Sequence, residues 1–138
     1  MAEALILDSE ALAALAFERE RGVMRLRARA VLALAFETGA RVLVPAPVLA
    51  EVCRGSARDA AVHLVLGRSG IAVEPLDRAI SERAGALLTR AKLASAHAVD
   101  AFVVATAMAF AGAVIATHDP RDLRRLAGGA PRVHIVTI

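Results

Sequence analysis

Four carboxylates, Asp8, Glu51, Asp100 and Asp119, stand where an α/β chain can gather acids at one edge. Asp8 directly follows the apolar run Leu5-Ile6-Leu7, and Asp119 follows Ala113–Ala116 by three residues. Glu51 falls in the first turns of a helix expected after Pro47, and Asp100 opens an apolar helix of its own. Acids a few ångströms apart repel and cannot all stay ionised without a cation. Oxygen donors with no cysteine and no clustered histidine select Mg²⁺ or Mn²⁺ over zinc. An ion held in this way binds a phosphodiester, activates water and steadies the leaving oxygen. Ser9 and Thr117 are placed to orient a ligand, a water or a phosphate, and both also suit helix or loop capping. His97 and His118 flank two of the acids without zinc-site spacing, so they are expected behind the ligands or at the surface.

Each acid also has a plainer use. Asp100 suits an N-cap, and Asp119-Pro120-Arg121-Asp122 reads as a capping arrangement, with Asp119 at the N-cap, Pro120 at N1 and Asp122 near N3. Glu51 would serve as an ordinary exposed helix residue. Asp8 is the hardest to dismiss, because Ser9 can cap the helix that follows. Asp122 competes with Asp119 for the fourth place. Glu10 is a further acid near Asp8, and its helical position predicts solvent exposure.

Positioning these residues requires strands that end beside them. Glu3–Leu7, Arg41–Val44, Ile71–Pro75, Ala113–Ala116 and Arg132–Ile138 read as strands. Between them lie helical patterns: one from Ser9, one over Val23–Thr38 ended by Gly39, one after Pro47, and one from Ser56 to Leu66. Two more run from Asp77 to about Leu93 and from Asp100. In the Val23–Thr38 helix the apolar side is expected to carry Leu26, Ala30, Ala33 and Phe36. Such alternation predicts an α/β fold, a mostly parallel sheet flanked by helices on both faces. In such sheets, functional groups gather outside the carboxyl ends of the strands.

The bulk properties bound the partners. At 138 residues the chain is expected to form a single domain, 1–138. Its apolar fraction is dominated by alanine, with four Phe and no Trp or Tyr, which argues against binding single strands by base stacking. All but one of its 17 basic residues are arginine, the net charge is +3, and the pI is near 10.4, a balance that suits a polyanion. A lone Cys53 excludes an intrachain disulfide and fits a reducing compartment. The N-terminal stretch lacks signal-peptide features, and the uncharged run Ala101–Thr117 falls short of the ~20 residues a membrane span needs. A cytoplasmic protein with no membrane partner is the expectation.

The stretches LILDSEALAAL, VPAPVLAEVCRG and AVDAFVVATAMAFAGAVIATHDPRDLRRLA resemble the PIN-domain ribonucleases, most closely the VapC-type toxins of toxin–antitoxin pairs. The resemblance runs from Leu5 to the last strand, and it implies a PIN-like α/β/α sandwich. By position it assigns Asp8, Glu51, Asp100 and Asp119 as the four catalytic acids, with Asp8 and Asp100 the most direct metal ligands. Glu51 and Asp119 complete the pocket, and Thr117 matches a hydroxyl residue two before the fourth acid. The implied activity is Mg²⁺- or Mn²⁺-dependent endonucleolytic cleavage of RNA by water, leaving a 3′-hydroxyl and a 5′-phosphate. The implied partners are an RNA substrate, a second copy in a homodimer, and a cognate antitoxin protein. Arg19, Arg21, Arg25 and Arg27, with Arg121, Arg124 and Arg125, then become candidates for RNA phosphate contacts. Three alternatives remain: a PIN-fold nuclease for RNA processing or structured DNA, a non-catalytic RNA- or protein-binding domain, and a receiver-type phosphoacceptor. The last wants a lysine at a late strand end, and the only lysine is Lys92, on a helix.

Overall fold

The computed structural model describes residues 2–68 and 70–138, with the side chains of residues 18–21 outside the description. In chain order the elements are β1 (Ala4–Leu7), α1 (Ser9–Ala16), α2 (Glu18–Glu37), β2 (Arg41–Pro45), α3 (Val48–Val52) and α4 (Asp59–Leu66). There follow β3 (Ile71–Glu74), α5 (Arg78–Ala91), a 3₁₀ turn (Ser95–His97), α6 (Ala98–Met108), β4 (Ala113–Thr117), α7 (Arg121–Ala127) and β5 (Val133–Thr137).

The five strands form one sheet in the order β3-β2-β1-β4-β5, and every pairing is parallel. Parallel neighbours need crossovers, and right-handed crossovers place α1–α4 on one face and α5–α7 on the other. The helix contacts follow that division: α1 packs on α2, α3 and α4, while α5, α6 and α7 pack on one another. The sandwich expected from the alternating pattern is present. The three central strands read as unbroken apolar runs because both of their faces are covered. Leu5, Ile6, Leu7, Val42, Leu43, Val44 and Ile115 are all buried.

The order carries one functional consequence. From β1 the chain steps outward through β2 to β3, then returns to pair β4 on the other side of β1. The carboxyl ends of β1 and β4 therefore flank the switch point, where crossover helices diverge to opposite faces and leave a crevice. The register pairs Leu7 with Ala116, so the next residues, Asp8 and Thr117, lie side by side at that crevice.

Local signals set most helix ends. Gly39, with φ of +74°, lets the chain leave α2 for β2. Asp77 caps α5 by accepting a hydrogen bond from Ile80 N–H at 2.8 Å. The inward face of α2 differs from the expectation. Ala28, Leu32 and Ala35 are buried, while Leu26 is 66% exposed and Phe36 45% exposed, with Ala30 and Ala33 also outward. The helix carries two apolar stripes at helical spacing, and periodicity cannot say which one meets the sheet. α2 packs on β1 and β2 through the Ala28-Leu32-Ala35 side. No helix among the described residues is long and apolar enough to cross a membrane.

Candidate active site

Asp8 is fixed by the start of α1. As its N-cap, Asp8 accepts a hydrogen bond at Oδ1 from Ala11 N–H at 2.9 Å, the duty that Ser9 was also fit to perform. Ser9, one residue on, instead donates its hydroxyl to Glu51 Oε1 at 2.5 Å, tying α1 to α3. An acid in a tight strand-to-helix turn reaches the third N–H of the helix more directly than the serine after it. Asp8 is only 6% exposed, and burial drives its pKa up from 3.8 to about 6. Hydrogen bonds from the Thr117 hydroxyl and Ala11 N–H oppose that rise, and the charges of Asp100 and Glu10 add to it.

Thr117 ends β4 and is buried beside Asp8. Its single hydroxyl proton has two acceptors in reach, the Asp8 carboxylate and the Asp119 carbonyl at 3.3 Å. The ionised carboxylate is the stronger acceptor. The same oxygen accepts from Asp119 N–H at 3.1 Å, so Thr117 joins the two acids mechanically. Asp119 caps only loosely: Oδ1 accepts from Arg121 N–H at 3.3 Å, and the N-cap of α7 is Pro120. Asp100 is no cap either. The helix begins two residues before it, at Ala98, which leaves the Asp100 carboxylate in the first turn, facing the other acids. Burial raises its pKa most, followed by Glu51 and Asp122, with His97 pulling it down and Asp119 adding a smaller rise.

These side chains converge. Asp8, Ser9, Glu10, Glu51, Asp100, Thr117, Asp119 and Asp122 line one cavity of about 170 Å³. Two further acids, Glu10 and Asp122, join the four. Glu10 was expected to face solvent, yet it lines the cavity, because α1 starts at the sheet edge and its first turn rims the pocket. Asp122 presses on Asp100 more strongly than Asp119 does, and its Oδ2 lies 3.4 Å from His97 Nδ1. His97, Asp100 and Asp122 each present a ligand atom within 4.8 Å of the others. His118 has no part in this: its Nδ1 sits 3.0 Å from the Ile138 carbonyl oxygen.

The arginines proposed as phosphate contacts are placed less helpfully. Arg19 and Arg21 lie outside the described residues. Arg25 and Arg27 project from α2, and neither lines the acidic cavity. Arg125 donates to the Ala91 carbonyl at 2.8 Å, so it staples α7 to α5, and Arg124 lines a separate cavity with Val133 and Ile135. Neither lines the acidic cavity. Arg121 is exposed in the first turn of α7, beside Asp119 and Asp122.

The family model of the PIN domain matches residues 5–129, the span that holds every acid of the pocket. The chain belongs to the PIN-domain family. No curated protein matches its sequence. PIN domains are generally nucleases and typically use divalent metal ions. The donor set of this PIN domain fits such an ion. Its carboxylates come from four separate segments, two of them are held above their ordinary pKa, and their mutual repulsion is what a cation would relieve.

Proposed function

We propose that this PIN domain is a Mg²⁺- or Mn²⁺-dependent endoribonuclease, the VapC-type toxin of a type II toxin–antitoxin pair. The observation that carries the reading is the pocket at the switch point, where Asp8, Glu51, Asp100 and Asp119 meet with Asp122 added. Asp8, which is buried, and Asp100, which is half-buried, are the residues to hold an ion, while Glu51 and Asp119 are exposed. Glu51, Asp119 and Asp122 surround them, directly or through water. A bound divalent ion supplies charge neutralisation for the phosphodiester and a lowered pKa for water.

The chain's own groups do the rest. Thr117 fixes the orientation of Asp8 by donating to it, and holds Asp119 through its backbone N–H. Ser9 occupies one oxygen of Glu51, leaving the second to accept a proton from the attacking water. Because water rather than the ribose 2′-hydroxyl attacks, the products carry a 3′-hydroxyl and a 5′-phosphate. The partners proposed are a second copy of the chain and an antitoxin protein. The exposed apolar stripe of α2, with Val23, Leu26, Ala30, Ala33 and Leu34, supports protein contact of this kind.

The decisive experiment incubates the purified protein with total RNA and Mg²⁺ and maps the new 5′ ends. Discrete sites with 5′-phosphates are expected, and their loss in Asp8→Asn and Asp100→Asn variants that remain folded. Full cleavage by either variant, or cleavage indifferent to chelator, refutes the reading. Growth arrest on expression, relieved by the product of a small neighbouring gene, separates the toxin role from an RNA-processing role.

A further inference from the structure

The acidic pocket repels the polyanion it is proposed to cut, so a substrate needs cationic anchorage close by. A second cavity, of about 430 Å³, supplies it. It shares Ser9, Glu10 and Glu51 with the acidic pocket and continues past Phe17 to Arg54 and Arg58. The two cavities adjoin at these three residues and together make a groove, acidic at the switch point and carrying Arg54 and Arg58 at the far end.

Both arginines are held in advance. The Arg58 guanidinium lies over the Phe17 ring, 3.5 Å from its centroid, which holds the cation at the groove wall. Arg54 donates from Nη1 to the Cys53 carbonyl at 2.8 Å and the Ala50 carbonyl at 3.1 Å, folding its side chain onto the end of α3. The backbone beneath them is clamped by Asp59. Its carboxylate accepts from Arg54 N–H at 2.9 Å and Gly55 N–H at 2.8 Å, donations that hold its pKa below the ordinary range. A buried acid is thus spent on shaping the loop that carries the two cations. Side chains ordered before binding lose less entropy when a ligand arrives. A planar guanidinium matches a phosphate with paired donors, which a lysine cannot do.

We propose that this groove binds the single strand of RNA next to the cleavage site, with Arg54 and Arg58 gripping one backbone phosphate adjacent to the scissile one. The inference rests on the ribonuclease reading, and it explains how an acidic pocket engages an acidic substrate. Arg54 and Arg58 follow Glu51 by three and seven residues, so the segment that places one wall of the pocket also places the grip.

The test measures cleavage of a single-stranded RNA oligonucleotide in Mg²⁺, and binding of the same oligonucleotide by the inactive Asp100→Asn protein. Replacing both Arg54 and Arg58 by Ala is expected to raise KM and Kd roughly tenfold, the loss of one charge-assisted contact. The slope of log affinity against log salt should shrink by about 0.7, the value for one phosphate on a single strand. Arg58→Lys should restore the salt slope but not the full affinity. Arg29→Ala, exposed on α2, should change neither. An unchanged KM and salt slope in the double variant, with cleavage intact, overturns the groove and leaves the nuclease standing. Failure of the unaltered protein to cleave RNA overturns both. A collapsed thermal transition in the double variant transfers the test to Arg58→Lys, where undiminished affinity also refutes the grip.

Discussion

Asp8→Asn, which should abolish cleavage, is expected to make the metal-free protein more stable. Burial and the neighbouring acids raise the Asp8 pKa from 3.8 to about 6. A rise of about 2 units is worth about 3 kcal/mol, at 1.36 kcal/mol per unit. The folded state therefore binds this proton more tightly than the unfolded chain does. Its contribution to stability is fully present below pH 3.8 and is lost as pH rises through about 6. At pH 7.5 the wild type carries the whole penalty. Asparagine keeps the cap, since its side-chain oxygen accepts from Ala11 N–H as the carboxylate does, and it carries no charge to desolvate. Urea unfolding in chelator should show the variant more stable by up to about 3 kcal/mol at pH 7.5, with a thermal midpoint roughly 10 °C higher. The gap should narrow between pH 6 and 4 and close below that. A variant no more stable than wild type at pH 7.5, or a gap that ignores pH, would refute the account of Asp8 as a destabilised buried acid.

Other consequences are more direct. Mn²⁺ or Mg²⁺ at a hundred times its Kd should stabilise the wild type by about 2.7 kcal/mol, and Asp100→Asn by far less, in thermal melts with and without chelator. Thr117→Val removes the donor to Asp8 and the acceptor for Asp119 N–H, costing about 1 kcal/mol in unfolding and at least tenfold in kcat. Thr117→Ser should restore both. Ile115→Ala opens a cavity in the fully buried centre of β4 and should cost 2–5 kcal/mol by chemical denaturation, roughly.

The architecture was legible because buried parallel strands announce themselves as short apolar runs, and because Gly39 and Asp77 have local duties that context does not alter. Where two local solutions competed, sequence could not choose between them. Leu26-Ala30-Ala33 and Ala28-Leu32-Ala35 are equally regular stripes, and only the sheet decides which turns inward. Asp8 and Ser9 can both cap α1, and the choice depends on Glu51, distant in sequence, taking the serine hydroxyl. Glu10 reads as a solvent-facing helix residue, and Asp122 as a rival of Asp119 rather than its companion, until the cavity between their helices is known. Arg54 and Arg58 follow a helix break at Cys53, so no periodicity linked them to Glu51, though their closeness to it in sequence was a signal.

The strand order also dictates when activity can arise during synthesis. β1 precedes the other strands of the sheet in the chain and stands at its centre, but its partner β4 comes only after β2 and β3. A growing chain can assemble β1, β2, β3 and the helices α1–α4 with Asp8 and Glu51 already in place. Asp100, Thr117, Asp119 and Asp122 are still missing at that stage. Until β4 pairs with the open edge of β1, the nascent chain holds half a pocket. The same open edge, a row of unpaired N–H and C=O groups in an apolar strand, is where an interrupted chain would aggregate. The pocket is complete only once the crossover that carries α6, β4 and α7 has joined the sheet.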